Sequence, residues 1–240
     1  MFNFTDGYIH FSPTTDSSYT VYQEGQAIST SQEIAIEVET PVYVNGQGVG
    51  KLVSSPHELE SLAVGFCLAE GKIRPGEAIG TVRVQQGIAY IQTVPLAEQK
   101  VRNQLFTPIT AAQICTYGTL LDSMSTAHHQ SHGVHEGALV IGNTVLAYAE
   151  DIGRHNVLDR LRGLVVLHGI DISQAVLVFS GRVPQSVITK VHGLGVKVLA
   201  SRALPTSLGI ELANQFGITL ICGLRPDRFR VFAHRERILL

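Results

Sequence analysis

The stretch that decides the fold is Glu150-Asp151-Ile152-Gly153-Arg154-His155-Asn156. A β-rich run, Val145 to Ala149, ends at it, and a helical stripe of Leu158, Leu161, Leu164, Val165 and His168 follows it. Six of these seven residues are polar or glycine, and at such a junction they cost stability unless they serve something. Strand-to-helix turns of α/β sheets are where ligands bind, and polarity concentrated there marks a site. As packing alone, the stretch is a solvated turn with an asparagine cap.

Outward from it, residues 138–240 alternate strand and helix. Ala138 to Ile141 and Thr144 to Ala149 are joined by a Gly142-Asn143 turn, and a helix runs from Val157 to His168. Strands follow at Ala175 to Phe179, Val196 to Ala200, Ile218 to Ile221 and Arg230 to Phe232, with helices at Ser186 to Leu194 and Thr206 to Phe216. Strands separated by helices predict right-handed crossovers and a largely parallel sheet with helices on its faces. The turns after successive strands then share one edge. They are Glu150 to Asn156, Ser180-Gly181-Arg182, Ser201-Arg202-Ala203-Leu204-Pro205-Thr206 and Gly223-Leu224-Arg225-Pro226-Asp227-Arg228. Each carries an arginine: Arg154, Arg182, Arg202, and Arg225 with Arg228. Guanidinium groups converging beside helix N-termini make a site for phosphate or pyrophosphate. Asp151 and Asp227 would pair with a guanine or ribose edge, or would neutralise the arginines.

Toward the N-terminus the pattern becomes β-rich. Residues 1–32 read as a polar tail or an edge strand at Tyr19 to Tyr22. Residues 33–108 read as a β-rich subdomain with one helix. Glu33 to Glu39 alternates apolar and charged residues, the Asn45-Gly46 turn continues a hairpin, and Ile79 to Val94 forms a second hairpin through Gly87. Ser55-Pro56 has the form of a helix start, with Leu59, Leu62, Ala63, Phe66 and Cys67 on the apolar face and Gly71 at the end. Residues 109–137 have little periodicity and many reactive side chains, Cys115 and the run His128 to Glu136 among them, and read as a mobile functional loop.

The 240 residues are 45% hydrophobic and 16% charged, with a net charge of −2. That composition can bury a sizeable core, and it lacks the basic excess of a duplex nucleic-acid binder. No run of 18 apolar residues and no charged leader with an apolar core occur, so a soluble, cytoplasmic protein away from membranes is expected. The three cysteines, Cys67, Cys115 and Cys222, are odd in number and widely spaced, unlike a disulfide scaffold. Cys67 lies on the helical stripe and Cys222 at an apolar strand end, so both read as structural.

Glu-Asp-Ile-Gly-Arg-His-Asn at 150–156, Ser-Gly-Arg at 180–182, Ser-Arg-Ala-Leu-Pro-Thr at 201–206 and Leu-Ala-Val-Gly-Phe-Cys-Leu-Ala-Glu-Gly at 62–71 resemble the FdhD family of formate dehydrogenase accessory proteins. The resemblance covers about residues 35 to 235, in order. It implies an α/β fold, a cytidine-deaminase-like three-layer sandwich with a smaller β-rich N-terminal subdomain, in a cytoplasmic homodimer. It further implies a sulfur carrier, a sulfurtransferase-like protein with a cysteine persulfide intermediate. Such a carrier accepts sulfur from a cysteine desulfurase and delivers it to the bis-molybdopterin guanine dinucleotide molybdenum cofactor before that cofactor enters formate dehydrogenase. The cofactor, or GDP as its partial analogue, would be held by Asp151, Gly153, Arg154, His155, Asn156, Ser180, Gly181, Arg182, Ser201, Arg202 and the segment Gly223, Leu224, Arg225, Pro226, Asp227, Arg228.

One departure bears on mechanism. The family's sulfur-relay loop carries Cys-x-x-Cys-Gly, where this chain has Cys115-Thr116-Tyr117-Gly118. Aligning Cys115 with the first cysteine puts Gly118 at the second; aligning Gly118 with the glycine leaves neither cysteine matched. A single thiolate can still hold a terminal sulfur, although no neighbouring thiol then releases it. Cys115 is the candidate carrier. His135, in the family's Gly-Gly-x-His element, is the candidate helper beside it, and His155 would position phosphate or a proton. His128, His132 and His135 have metal-site spacing with Glu136 as a base, but Gly133 argues against a regular helix and no Cys-x-x-Cys completes a deaminase-type zinc site, so no metal is assigned. Three readings stand. The chain is a sulfur carrier, a cofactor-binding chaperone that has lost sulfur transfer, or, more remotely, a metal-dependent hydrolase built on residues 128–136.

Overall fold

A computed structural model describes residues 2–5, 13–97, 105–124 and 133–239. After a short strand β1 (Asn3–Phe4), strands β2 (Thr14–Gln23) and β3 (Gln26–Ala35) form a long hairpin. Their register is unbroken from Thr14↔Ala35 to Gln23↔Gln26, and Glu24 and Gly25 turn the chain at positive φ, the geometry of a two-residue hairpin loop. The polar tail with an edge strand at Tyr19–Tyr22 is thus corrected to a two-stranded ribbon. Thr, Tyr, Val and Ile, which favour extended backbone, account for it. Among the described residues no other element packs closely on this ribbon.

Next come β4 (Val38–Val44), β5 (Gln47–Ser54), helix α1 (Leu59–Ala69), β6 (Glu77–Gln85) and β7 (Ile88–Pro95), whose strands lie in the order β5-β4-β7-β6. The alternation places Val42, Val44, Leu52, Ala89 and Ile91 on one face, where Leu62, Ala63 and Cys67 of α1 cover them. The helix begins three residues later than Ser55-Pro56 implies, at Leu59, behind Glu58 in a left-handed conformation. Ser55 lies three residues before Glu58 and does not cap the helix; its backbone N–H donates to Asp151 Oδ2.

The core follows: β8 (Ile109–Thr110), α2 (Ala111–Thr116), β9 (His135–Ile141), β10 (Thr144–Asp151), α3 (Arg154–His168), β11 (Val176–Phe179), α4 (Gln185–Leu194), β12 (Val198–Ser201), α5 (Ser207–Gln215), β13 (Thr219–Arg225), β14 (Arg228–Ala233) and a short β15 (Ile238–Leu239). The main sheet has the order β1-β10-β9-β11-β12-β13-β14. Strands β1, β10, β11, β12 and β13 run one way, and β9 and β14 run against them. The sheet is therefore mixed rather than largely parallel. Gly142-Asn143 and Pro226-Asp227 are two-residue links, and so short a link can join only antiparallel neighbours.

Both sheet faces are buried. Helices α3, α4 and α5 cover one, with Leu158, Leu161, Val187, Val191 and Ala213 against Leu139, Leu177, Leu199 and Leu220. The other carries α2 and the two 3₁₀ turns after it, with Ile114, Tyr117, Leu120 and Leu121 against Val140, Val178, Ala200 and Ile221. Two glycines lock the N-terminal unit to this core. A Cβ on Gly65 of α1 would overlap the Asp159 carbonyl of α3, and one on Gly163 of α3 would overlap the Ser61 carbonyl of α1. The helix backbones touch there, so the orientation of the two units is set by close packing. No helix among the described residues is long and apolar enough to cross a membrane.

Candidate functional site

Strands β10, β11, β12 and β13 end at the same edge of the sheet, which brings the four arginine-bearing turns together. Strand β9, running the opposite way, starts there, so it delivers His135 and Glu136 to the same place, in register with Asp151 and Glu150. The turns are laced to one another. Glu136 N–H donates to Ser180 Oγ (2.8 Å), and Ser180 N–H donates to the Glu136 carbonyl (3.0 Å). Ser180 Oγ lies 3.5 Å from His135 Nδ1. Arg202 N–H donates to the Phe179 carbonyl, Gly223 N–H to the Ala203 carbonyl, and Ser201 Oγ to the Gly181 carbonyl (2.7 Å). Gly223 needs its positive φ of 64° for this turn, and a Cβ at Gly181 would crowd the Phe179 ring.

Several expected ligand residues are instead internal. Asp151 is fully buried; Oδ1 accepts from Gly153 N (2.9 Å) and Asn156 Nδ2 (2.7 Å), and Oδ2 accepts from Ser55 N (3.2 Å) and from Arg160 Nε (2.9 Å) and Nη2 (2.6 Å). It therefore neutralises a buried arginine, Arg160, rather than a ligand or any of the edge arginines. Asn156 Nδ2 also donates to the Val53 carbonyl, tying the turn to β5. Leu224 is part of the core and Ser201 is fully buried, so both shape the edge from beneath.

What faces outward is cationic. Arg154 opens α3, and its Nε is buried with no hydrogen-bond partner among the described residues, a cost that an anion would offset. Arg182 and Arg228 are exposed, Arg228 reaching Asp227 at 3.4 Å. Arg202 pairs with Asp122, and Arg225 Nη1 donates to the carbonyls of Arg202 (3.0 Å) and Leu224 (2.6 Å). His155 Nε2 and Ser186 Oγ lie 2.9 Å apart. Burial first, then the neighbouring Arg154 and Lys190 charges, pull the His155 imidazole below its ordinary pKa, so it is neutral at pH 7.

Cys115 sits on the opposite sheet face, on α2 rather than on a loop. Thr110 caps that helix by accepting from Gln113 N (3.2 Å). The thiol is half-buried in a cleft of about 740 Å³ lined by Phe2, Ala112, Thr116, Thr119, Ser123 and Pro226. Pro226 belongs to the last arginine turn, so thiol cleft and cationic edge share a wall. Gly118 fixes this junction: a Cβ there would overlap the Arg225–Pro226 backbone. The other thiols are out of play, because burial pushes Cys67 and Cys222 up to about 12. His128, His129 and His132 lie outside the described residues. Among the described residues no group of three or more His, Cys, Asp or Glu is placed to hold a metal.

Sequence reasoning missed Arg160, Asp122 and Ser186, and took Gly118 only as an alignment point beside Cys115. Arg160 falls outside the stripe of Leu158, Leu161, Leu164 and Val165, so the apolar pattern gives no sign of its burial. The other three depend on contacts far apart in the chain and leave no local signal.

The FdhD/NarQ family model matches residues 35–119 and 87–239. The chain belongs to the FdhD/NarQ family. It is 32% identical over 247 residues to the sulfur carrier protein FdhD of Staphylococcus haemolyticus, spanning 90% of this chain and 94% of that one. It is 28% identical over 251 residues to the protein of the same name from Staphylococcus aureus strain JH9, with 91% and 94% covered. A crystal structure described as a formate dehydrogenase accessory protein from Desulfotalea psychrophila superposes with a TM-score of 0.82 at 29% identity, covering 94% of this chain and 99% of that one.

Proposed function

We propose that this FdhD/NarQ chain carries sulfur on Cys115 from a cysteine desulfurase to the bis-molybdopterin guanine dinucleotide cofactor of formate dehydrogenase. The observation that carries the reading is Pro226, which is at once a wall of the Cys115 cleft and part of the arginine turn. In the first step the Cys115 thiolate attacks the terminal sulfur of the donor's persulfide. A new S–S bond forms on Cys115, and the donor leaves as a thiolate. Release as sulfide takes an external thiol, because Cys67 and Cys222 are buried: that thiol forms a mixed disulfide with Cys115 as HS⁻ departs.

The cofactor's phosphates suit Arg154, whose orphaned Nε seeks an acceptor, together with Arg182, Arg202 and Arg228. When bound, the cofactor supplies the molybdenum that receives the sulfur. Neutral His155 can accept or donate one hydrogen bond beside it, and His135 stands at the same edge next to Ser180. The proposal includes the deaminase-like layering of the core, a cytoplasmic location and a homodimer. The last is supported by the β2–β3 ribbon, whose Tyr19, Ile28 and Ile34 share one uncovered, charge-free face while Asp16 and Glu33 point the other way.

Loading tests the reading. After incubation with a cysteine desulfurase and cysteine, cyanide should release about one sulfur per chain as thiocyanate from wild type and none from Cys115→Ala. GDP binding without any such sulfur would identify the chaperone reading instead.

A further inference from the structure

Helices α3 and α4 both start from turns of the cationic edge, and two rungs join them. His155 Nε2 lies 2.9 Å from Ser186 Oγ. Four residues further along each helix, Lys190 Nζ donates to Asp159 Oδ1 and Oδ2 at 2.8 and 2.9 Å. Residues four apart share a helix face, so one pair stacks above the other. The lower rung is nearly dry, with Asp159 at 4% and Lys190 at 14% side-chain exposure, and it ties the two helices together beneath the upper one. The upper rung borders a cleft of about 490 Å³ that Lys51, Phe66, Glu70 and Asn156 also line.

That pairing leaves one ring nitrogen for a ligand. Ser186 engages Nε2, and Nδ1 has no hydrogen-bond partner among the described residues. A neutral imidazole carries a single N–H, and the bond made by one nitrogen decides whether the other bears it. Burial, Arg154, Lys190 and His135 all act against a second proton on the ring, and Glu70 opposes them. An anion at Nδ1 needs a donor there, so Nε2 must then be the acceptor, and a hydroxyl can rotate to donate to it. We propose that Ser186 is a positioning residue: its O–H donates to His155 Nε2 and holds the neutral ring with its proton on Nδ1, toward a phosphate oxygen bound beside Arg154. The site gains a donor that needs no positive charge, so it persists at a pH where an imidazolium is lost. This inference rests on the reading that the edge binds phosphate groups.

The test is made at about pH 8, above the ordinary histidine pKa of about 6.5, with inorganic pyrophosphate as the probe. Proton–nitrogen correlation spectra of ¹⁵N-labelled protein tell the two tautomers apart, and His155→Gln identifies the signal. Wild type with pyrophosphate bound should show the Nδ1–H form. Ser186→Ala should move toward the Nε2–H form and bind pyrophosphate about threefold more weakly by calorimetry, within the range of one hydrogen bond. Ser186→Thr should restore both. A wild-type ring in the Nε2–H form with pyrophosphate bound, or Ser186→Ala with tautomer and affinity unchanged, would overturn the role of Ser186 and leave the phosphate edge intact. No pyrophosphate binding by wild type would overturn both.

Discussion

Replacing Arg160 by methionine isolates the contact that holds the first turn of the site. Its guanidinium is 1% exposed and makes two bonds to Asp151, at 2.9 and 2.6 Å, one to the Ser55 carbonyl at 2.7 Å and another to the His57 carbonyl. Methionine fills much of the volume but leaves Asp151 buried and charged. Breaking a buried pair from one side costs about 3–5 kcal/mol. Ser55 N–H, Gly153 N–H and Asn156 Nδ2 still donate to Asp151, which favours the lower end, about 3 kcal/mol. Against a total stability of about 5–15 kcal/mol, that is a large fraction. Urea unfolding followed by far-UV circular dichroism reads it as a fall in midpoint at unchanged slope. Adding Asp151→Asn removes the uncompensated charge and should return part of the loss. A loss under about 1 kcal/mol for Arg160→Met, the scale of a surface pair, would refute the reasoning.

Asp159 gives a pH signature. Burial outweighs the pull of Lys190 and lifts its carboxyl to about 6, so the folded state binds this proton more tightly than the unfolded chain does. Its contribution to stability is complete below about pH 4 and is lost as pH rises toward 6. The shift of about two units corresponds to roughly 3 kcal/mol, and urea titrations of wild type against Asp159→Asn should differ in slope only in that window. Arg154→Ala should weaken GDP binding by at least about tenfold in calorimetry, the scale of a lost charge-assisted hydrogen bond. Ile28→Lys, on the exposed ribbon, should halve the mass seen by light scattering with the melting temperature of the core unchanged; a wild-type mass of one chain would sink the dimer.

The order of elements and the gathering of four turns at one edge were legible because strand-helix alternation and arginine placement are local patterns. Strand direction was not fully legible. Gly142-Asn143 is visible as a turn, yet only the rule that two residues cannot cross over makes β9 antiparallel and brings His135 to the edge. Asp151 shows why a site residue can be misassigned: in sequence it stands among ligand-like residues, and only the packing of α3 beneath the turn gives its carboxylate to Arg160. Ser55-Pro56 misled in a related way: the Ser55 backbone is bonded to Asp151 and Arg160, and the helix starts only behind Glu58. Cys115 was visible as a thiol beside a glycine; that Gly118 is pressed against Arg225–Pro226 is a contact across more than a hundred residues.

The account stands or falls on delivery. Protein loaded with ³⁵S by a cysteine desulfurase, separated from it and mixed once with formate dehydrogenase bearing sulfur-free cofactor in the presence of an external thiol, should transfer its label. Dehydrogenase activity should appear on the same time course, and Cys115→Ala should yield neither. Label that stays on the chain while GDP still binds, or activity gained equally with Cys115→Ala, would contradict Cys115 as the carrier.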